Sequence, residues 1–141
     1  MRVYSRRKLP ANAGEDSVSI LHALLDSSKS VRETIVHHSI HGRFAIRPGK
    51  WKLELCPGSG GWGKPVDLAA RKQNLPDVQL YDLTNDISET RNVQAQHPGV
   101  AARLKKLLEQ QIADGRSTPG AKQTDDTRIV LMKPLAAASR E

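Results

Sequence analysis

Cysteine is nearly absent from the 141 residues: Cys56 is the only one. A single thiol excludes an intrachain disulfide framework, and cysteine usage leaves the redox compartment unread. Aromatic residues are almost as scarce, at 4%, so a core has to be assembled from Leu, Ile and Val. No apolar run reaches the roughly 18 residues that a membrane-crossing helix needs, and no membrane partner is expected. The opening Met1-Arg2-Val3-Tyr4-Ser5-Arg6-Arg7-Lys8 is basic like the start of a signal peptide, yet no apolar stretch follows it, which argues against that reading. Internal repeats are missing as well. The length suits one small domain with a modest core.

What the chain has in excess is positive charge, +7 net. Its distribution argues against a nucleic-acid partner. Residues 1–14 carry four basic groups and no acid, residues 15–118 carry fourteen against twelve, and residues 119–141 carry four against three. The periodic middle is nearly balanced, whereas a nucleic-acid module concentrates basic groups on a folded face.

Three parts follow from the pattern. Residues 1–14 form an irregular basic segment punctuated by Pro10, Asn12 and Gly14. Residues 15–118 are the folded domain. Residues 119–141 read as a poorly ordered tail whose short apolar run, Ile129-Val130-Leu131-Met132, is an alternative edge strand cut off by Pro134.

Within the domain, Asp16 or Ser17 is placed to cap a short helix in which Val18, Ile20, Leu21, Leu24 and Leu25 crowd one side. The helix ends in the loop Ser27-Ser28-Lys29-Ser30. Thr34 to Ile40 is β-branched and reads as a first strand. Arg43-Phe44-Ala45-Ile46-Arg47 alternates, Pro48-Gly49 fits a type II turn, and Lys50-Trp51-Lys52-Leu53-Glu54-Leu55 alternates again. That meander has one apolar face and one charged face, with Arg43, Arg47, Lys50 and Lys52 expected on the solvated side. A short helix over Val66 to Lys72 and a fourth strand over Val78 to Leu83 follow. Pro98 suits the first turn of a last helix, Val100, Leu104, Leu107, Leu108 and Ile112 recur at its spacing, and Gly115 can close it. The expected fold class is α+β: a four-stranded antiparallel sheet with a long C-terminal helix packed on one face.

At this level of detail a family resemblance emerges. Gly42-Arg43-Phe44-Ala45-Ile46-Arg47-Pro48-Gly49-Lys50-Trp51-Lys52-Leu53 resembles the C-terminal hairpin of the arylsulfatase (sulfatase) family. Gln79-Leu80-Tyr81-Asp82-Leu83-Thr84-Asn85-Asp86, with Glu89-Thr90 and Asn92 after it, is similar to the family's strand and turn. Glu15-Asp16-Ser17 before an apolar helix and His37-His38-Ser39 on the first strand fit as well. The order and spacing of these motifs over about residues 7–120 carry the likeness.

The resemblance implies a sulfatase C-terminal subdomain that packs, in the intact enzyme, on a larger catalytic domain and shapes the cleft for a sulfated small molecule or glycan. Calcium and a formylglycine made from Cys or Ser are implied for that larger domain, with Lys, His and Arg side chains stabilising charge on the sulfate oxygens. Intact members are commonly exported or periplasmic. The nucleophile motif, Cys/Ser-x-Pro/Ala-x-Arg, is not matched here. Cys56-Pro57-Gly58-Ser59-Gly60 has its Pro one place early and Gly60 where Arg should stand. Neither Asp125-Asp126 nor Asn85-Asp86 has the surroundings of a calcium site. No catalytic residue, metal ligand or cofactor is therefore assigned to this chain, which is expected to be inactive alone.

The substrate-contacting candidates are His38, Gly60, Gly61 and Trp62. Glycines let backbone amides approach an anion, and Trp62 can stack on a sugar or aryl ring; the alternative is that Trp62 packs on the hairpin. His38 shares a strand face with Val36 and Ile40, where a partly buried structural role competes with substrate contact. His37, His38 and His41 hint at zinc, but a strand does not bring all three to one face.

Gly58-Ser59-Gly60-Gly61-Trp62-Gly63 also matches the glycine pattern of a dinucleotide loop, so a small nucleotide-binding domain is one alternative. The charged alternation of the preceding strand speaks against it, since Rossmann strands are apolar on both faces. A further alternative is an interaction module that pairs with a separately encoded sulfatase core. Either sulfatase reading leaves the surface meant for the larger domain exposed on an isolated chain, which should be marginally stable and sticky.

Overall fold

The alternation through residues 50–55 requires a sheet with one apolar face, and the computed structural model of the protein contains one. It describes residue 10, residues 13–26, residue 28 and residues 30–134. The basic opening, Ser27, Lys29 and residues 135–141 lie outside the described residues, as does the side chain of His22. Strands β1 (Thr34–His38), β2 (Phe44–Pro48), β3 (Trp51–Glu54) and β4 (Gln79–Asp82) form one sheet in the order β1-β2-β3-β4, every pair antiparallel. Gly49 turns β2 into β3 with a φ of +57°, a conformation that glycine adopts without a Cβ penalty.

Register fixes what each face carries. Val36 lies opposite Ile46, Ile46 opposite Leu53, and Leu53 opposite Leu80, so one apolar row crosses all four strands. The next row on the other face is His37, Ala45, Glu54 and Gln79. Helix α3 (Pro98–Ala113) covers the apolar row with Ala101, Leu104 and Leu108. Ile46, Leu53, Leu55, Leu80, Leu104 and Leu108 are the largest fully buried side chains, each contributing about 1.5–3 kcal/mol by leaving water. Pro98 occupies the first turn of α3, and Gly115, at φ +61°, lies just beyond its end and donates its N–H to the Ile112 carbonyl at 2.9 Å. The expected α+β architecture is the one observed.

The residues that carried the family resemblance have structural work in this fold. Asp82 accepts from Lys50 across the β3–β4 pair at 2.9 Å. Asp86 accepts backbone N–H groups of Thr90 and Arg91, which closes the turn after β4. Glu89 reaches back to the Lys52 ammonium at 2.6 Å. Asn92 covers the outer edge of β4, accepting from Leu80 N–H at 3.0 Å and donating to the Val78 carbonyl at 3.1 Å. A sheet edge is thereby blunted by side-chain and loop pairing.

Four local readings need correction. Helix α1 is only Leu21–Leu25, and its apolar side is not buried: Ile20, Leu24 and Leu25 are exposed. Asp16 does not cap it, because its carboxylate accepts the N–H of Ser117, beyond the end of α3, at 2.8 Å. Arg43 does not join a solvated face; it is buried against Asp67, and Lys52 is half-buried between Glu54 and Glu89. Residues 129–132 form no strand, although Leu131 packs against the core. Helix α2 (Asp67–Lys72) completes the fold and supplies the buried Ala70.

Candidate functional site

β3 runs out into the loop from Cys56 to Pro65, and polar groups on β4 together with the loop's own far end fix its base. Gln79, on β4, donates its amide to the carbonyls of Cys56 and Gly58 at 2.9 and 2.7 Å, and receives the Tyr81 hydroxyl at 2.5 Å. Ser59 N–H donates to the Pro65 carbonyl at 2.9 Å, so the two ends of the loop meet. A Cβ at Gly58 would lie 2.5 Å from the Pro65 oxygen and 2.8 Å from the Asp67 nitrogen, a backbone crowding that only glycine avoids.

The centre of the loop is held by Asp67, at the start of α2. One carboxylate oxygen accepts the Gly60 N–H at 3.0 Å and the other accepts the Arg43 Nε–H at 2.7 Å. Both side chains are buried, at 8% exposure for Arg43 and 6% for Asp67, so this is a desolvated, fully paired ion pair. Ser39 donates its hydroxyl to the Gly60 carbonyl and accepts the Arg43 N–H at 3.2 Å. Arg43 also donates from Nη1 to the Lys133 carbonyl. Farther out, Ser59 Oγ donates to the Gly63 carbonyl at 2.8 Å and accepts the Gly61 N–H at 3.3 Å.

The four predicted contact residues therefore behave differently. The amides of Gly60 and Gly61 point into the loop's own hydrogen bonds rather than toward an incoming anion. Their role is to shape the loop. Trp62 does not pack on the hairpin: it stands 83% exposed. His38 is exposed rather than partly buried, and its ring meets Phe44, its cross-strand partner, edge-on at 5.6 Å. It lines a groove of about 310 Å³ with Phe44, Gln111 and Ile112, and none of the loop residues borders that groove. The structure does not bring His38 together with Trp62.

The loop does border a cleft of about 620 Å³ on the polar face of the sheet. Gly58, Ser59 and Lys64 form one wall, with Lys52, Tyr81 and Glu89 across from them. Desolvation works against the Lys52 charge, but the hydrogen bonds it donates to Glu54 and Glu89 outweigh it and hold the ammonium above its ordinary value. That cation is already neutralised by two carboxylates. Burial, reinforced by nearby Glu54, raises the Tyr81 phenol, which remains a donor. His37, on the same face, is pushed down by desolvation and by Lys52.

The groups of sulfate-ester chemistry do not fit these residues. Burial first, then Glu54 and Asp67, push the Cys56 thiol up to about 12. A buried thiol, donating to the Gly58 carbonyl at 3.2 Å, is neither a nucleophile nor an accessible formylglycine precursor. Among the described residues, no three His, Cys, Asp or Glu side chains come together as a metal ion would require. The dinucleotide alternative meets a direct obstacle. The Asp67 carboxylate occupies the Gly60 amide that a phosphate would need, β3 is a central antiparallel strand, and α2 has six residues.

Reading the sequence alone missed Asp67 and Ser39, and misplaced Arg43. The available signal was an acid at the first turn of a helix immediately after a glycine-rich loop, which marks a carboxylate able to cap loop amides.

No protein-family model matches the chain. An N-acetylgalactosamine-6-O-sulfatase of Bacteroides thetaiotaomicron is 37% identical over 107 residues, 74% of this chain and 20% of that protein. A solved structure of a Bacteroides thetaiotaomicron 6S-sulf protein, from work on the metabolism of multiple glycosaminoglycans, superposes with a TM-score of 0.56 at 34% identity, covering 73% of this chain and 21% of that one. The chain spans about a fifth of the length of these relatives.

Proposed function

This chain is related to the sulfatases, and on that ground we propose that it serves as a sulfatase C-terminal subdomain: it packs on a catalytic domain in cis, borders the cleft for a sulfated glycan or small molecule, and is inactive alone. Trp62 carries the reading. An indole left 83% exposed between Gly61 and Gly63, on a loop whose centre is held by a buried ion pair, is available to stack on a sugar or aryl ring. Lys64, also exposed and two residues after the indole, borders the cleft of about 620 Å³ and supplies positive charge there. That one relative is an N-acetylgalactosamine-6-O-sulfatase suggests a sulfated N-acetylhexosamine as the substrate class. His38, in its separate groove, is a second contact for a longer glycan. Ile40, Val66 and Leu68 are exposed apolar groups suited to a larger domain's surface. Calcium and the formylglycine belong, in this reading, to that domain.

The test uses the chain joined to a sulfatase catalytic domain. An aromatic stacking contact is worth about 0.5–1.5 kcal/mol, so Trp62→Ala should raise KM about 2- to 10-fold with little change in kcat, and Trp62→Phe should retain most of the affinity. An unchanged KM in Trp62→Ala would remove the stacking role.

A further inference from the structure

We infer that Asp67 is a positioning residue for Trp62, acting through a clamp in which its two carboxylate oxygens grip different parts of the chain. Oδ1 receives the Gly60 N–H at 3.0 Å, two residues before the indole, and Oδ2 receives Arg43 Nε–H at 2.7 Å. Arg43 sits just ahead of β2, a central strand of the sheet, so the carboxylate transmits the rigidity of the sheet to the loop. Ser39 grips the Gly60 carbonyl from the other side, so both polar backbone atoms of Gly60 are taken. Gly60 itself has φ +66°, and a Cβ there would meet Ser39 Oγ at 3.1 Å and Arg43 Cβ at 3.2 Å. The clamp reaches farther than the loop: Arg43 Nη1 donates to the Lys133 carbonyl, tying the segment after α3 to the same pair.

A buried carboxylate is required for this arrangement. Asparagine is nearly the same shape but offers one acceptor oxygen and one NH2 donor. Whichever way it turns, its NH2 faces either the Gly60 N–H or the Arg43 guanidinium, donor against donor. The loop is then held on one side only. The positioning role rests on the stacking reading of Trp62, whereas the clamp can be measured without substrate.

The test begins with backbone ¹⁵N relaxation on the full chain. In the parent, order parameters of residues 60–63 should resemble those of the strands, near about 0.85, and in Asp67→Asn they should fall below about 0.6, with those of Trp51 in β3 unchanged. Retained order in a folded Asp67→Asn overturns the clamp. If Asp67→Asn does not fold, hydrogen exchange of the Gly60 amide in the parent takes its place: an N–H held by the carboxylate should exchange as slowly as those of the strands, and exchange as fast as an open loop amide overturns the clamp. The second arm joins the chain to a catalytic domain. Asp67→Asn should raise KM by a factor like that of Trp62→Ala, with no further rise in the double variant. Lost order with a KM effect from Trp62→Ala but none from Asp67→Asn overturns the positioning role. No KM effect from Trp62→Ala itself brings down the stacking reading, and the positioning role with it, while the loop order still reports on the clamp.

Discussion

Arg43→Ala should destabilise the chain by about 3–5 kcal/mol, because it strands the Asp67 carboxylate in a buried site with no counter-charge. Asp67 is only 6% exposed, so water cannot replace the guanidinium without opening the loop. Single domains are held by about 5–15 kcal/mol, so a loss of this size takes a large share of the total. Urea unfolding followed by tryptophan emission should show a lower midpoint with an unchanged slope. The partner substitution gives an internal check. Arg43→Met with Asp67→Leu removes both charges, and such apolar replacement of a buried pair is often neutral or better. Here recovery should be incomplete, since Leu at 67 leaves the Gly60 N–H without its acceptor, a cost of about 1–3 kcal/mol. A midpoint for Arg43→Ala within error of the parent would show that the pair is not desolvated.

Leu108→Ala should cost about 2–5 kcal/mol for a different reason. The side chain is fully buried between α3 and the sheet, within the cluster that contains Ile46 and Leu53. Truncation loses transfer free energy and leaves a cavity that neighbouring elements, fixed by four-strand register, cannot collapse to fill. Leu24→Ala in α1, where the side chain is 69% exposed, removes a side chain of the same size and should change stability by no more than about 0.5 kcal/mol. Equal effects at the two positions would contradict the placement of the core. Thermal or urea unfolding of both variants decides it.

The contrast between those two leucines also marks how far the sequence could be read. The sheet and α3 were legible because their signals are local and periodic. Period-two alternation in residues 50–55 names the buried face of β3, Pro48-Gly49 names its turn, and Leu104, Leu107 and Leu108 recur along one side of a helix. Leu24 sits in an equally apolar stretch, yet nothing in the described residues buries it. Amphipathicity states that a face can be covered, not that a cover exists. Arg43 failed for a related reason. Alternation placed it with Arg47 on a polar face, which is correct, but that face is folded over by the loop after β3. The carboxylate that pairs with it lies 24 residues away, at the start of α2. Asp16 is a longer-range case: it satisfied the local rule for a helix cap and instead accepts from Ser117. Glycine pattern alone could not tell whether the amides of Gly60 and Gly61 point outward or inward. Their direction depends on Asp67 and Ser59, whose contacts close only in three dimensions. Trp62 was legible as a candidate because a large indole between glycines has few local partners; its exposure follows from the loop's inward closure.

The proposed division of labour between this chain and a catalytic domain is tested most directly by sulfate release. An aryl sulfate, or an N-acetylgalactosamine 6-sulfate, is incubated with the chain alone in the presence of calcium, and then with the chain joined to a sulfatase catalytic domain. Release indistinguishable from buffer in the first case, and steady turnover in the second, is the expected result. Sulfate liberated by the chain alone, and retained after Cys56→Ala, would show a reaction centre that the described residues do not account for.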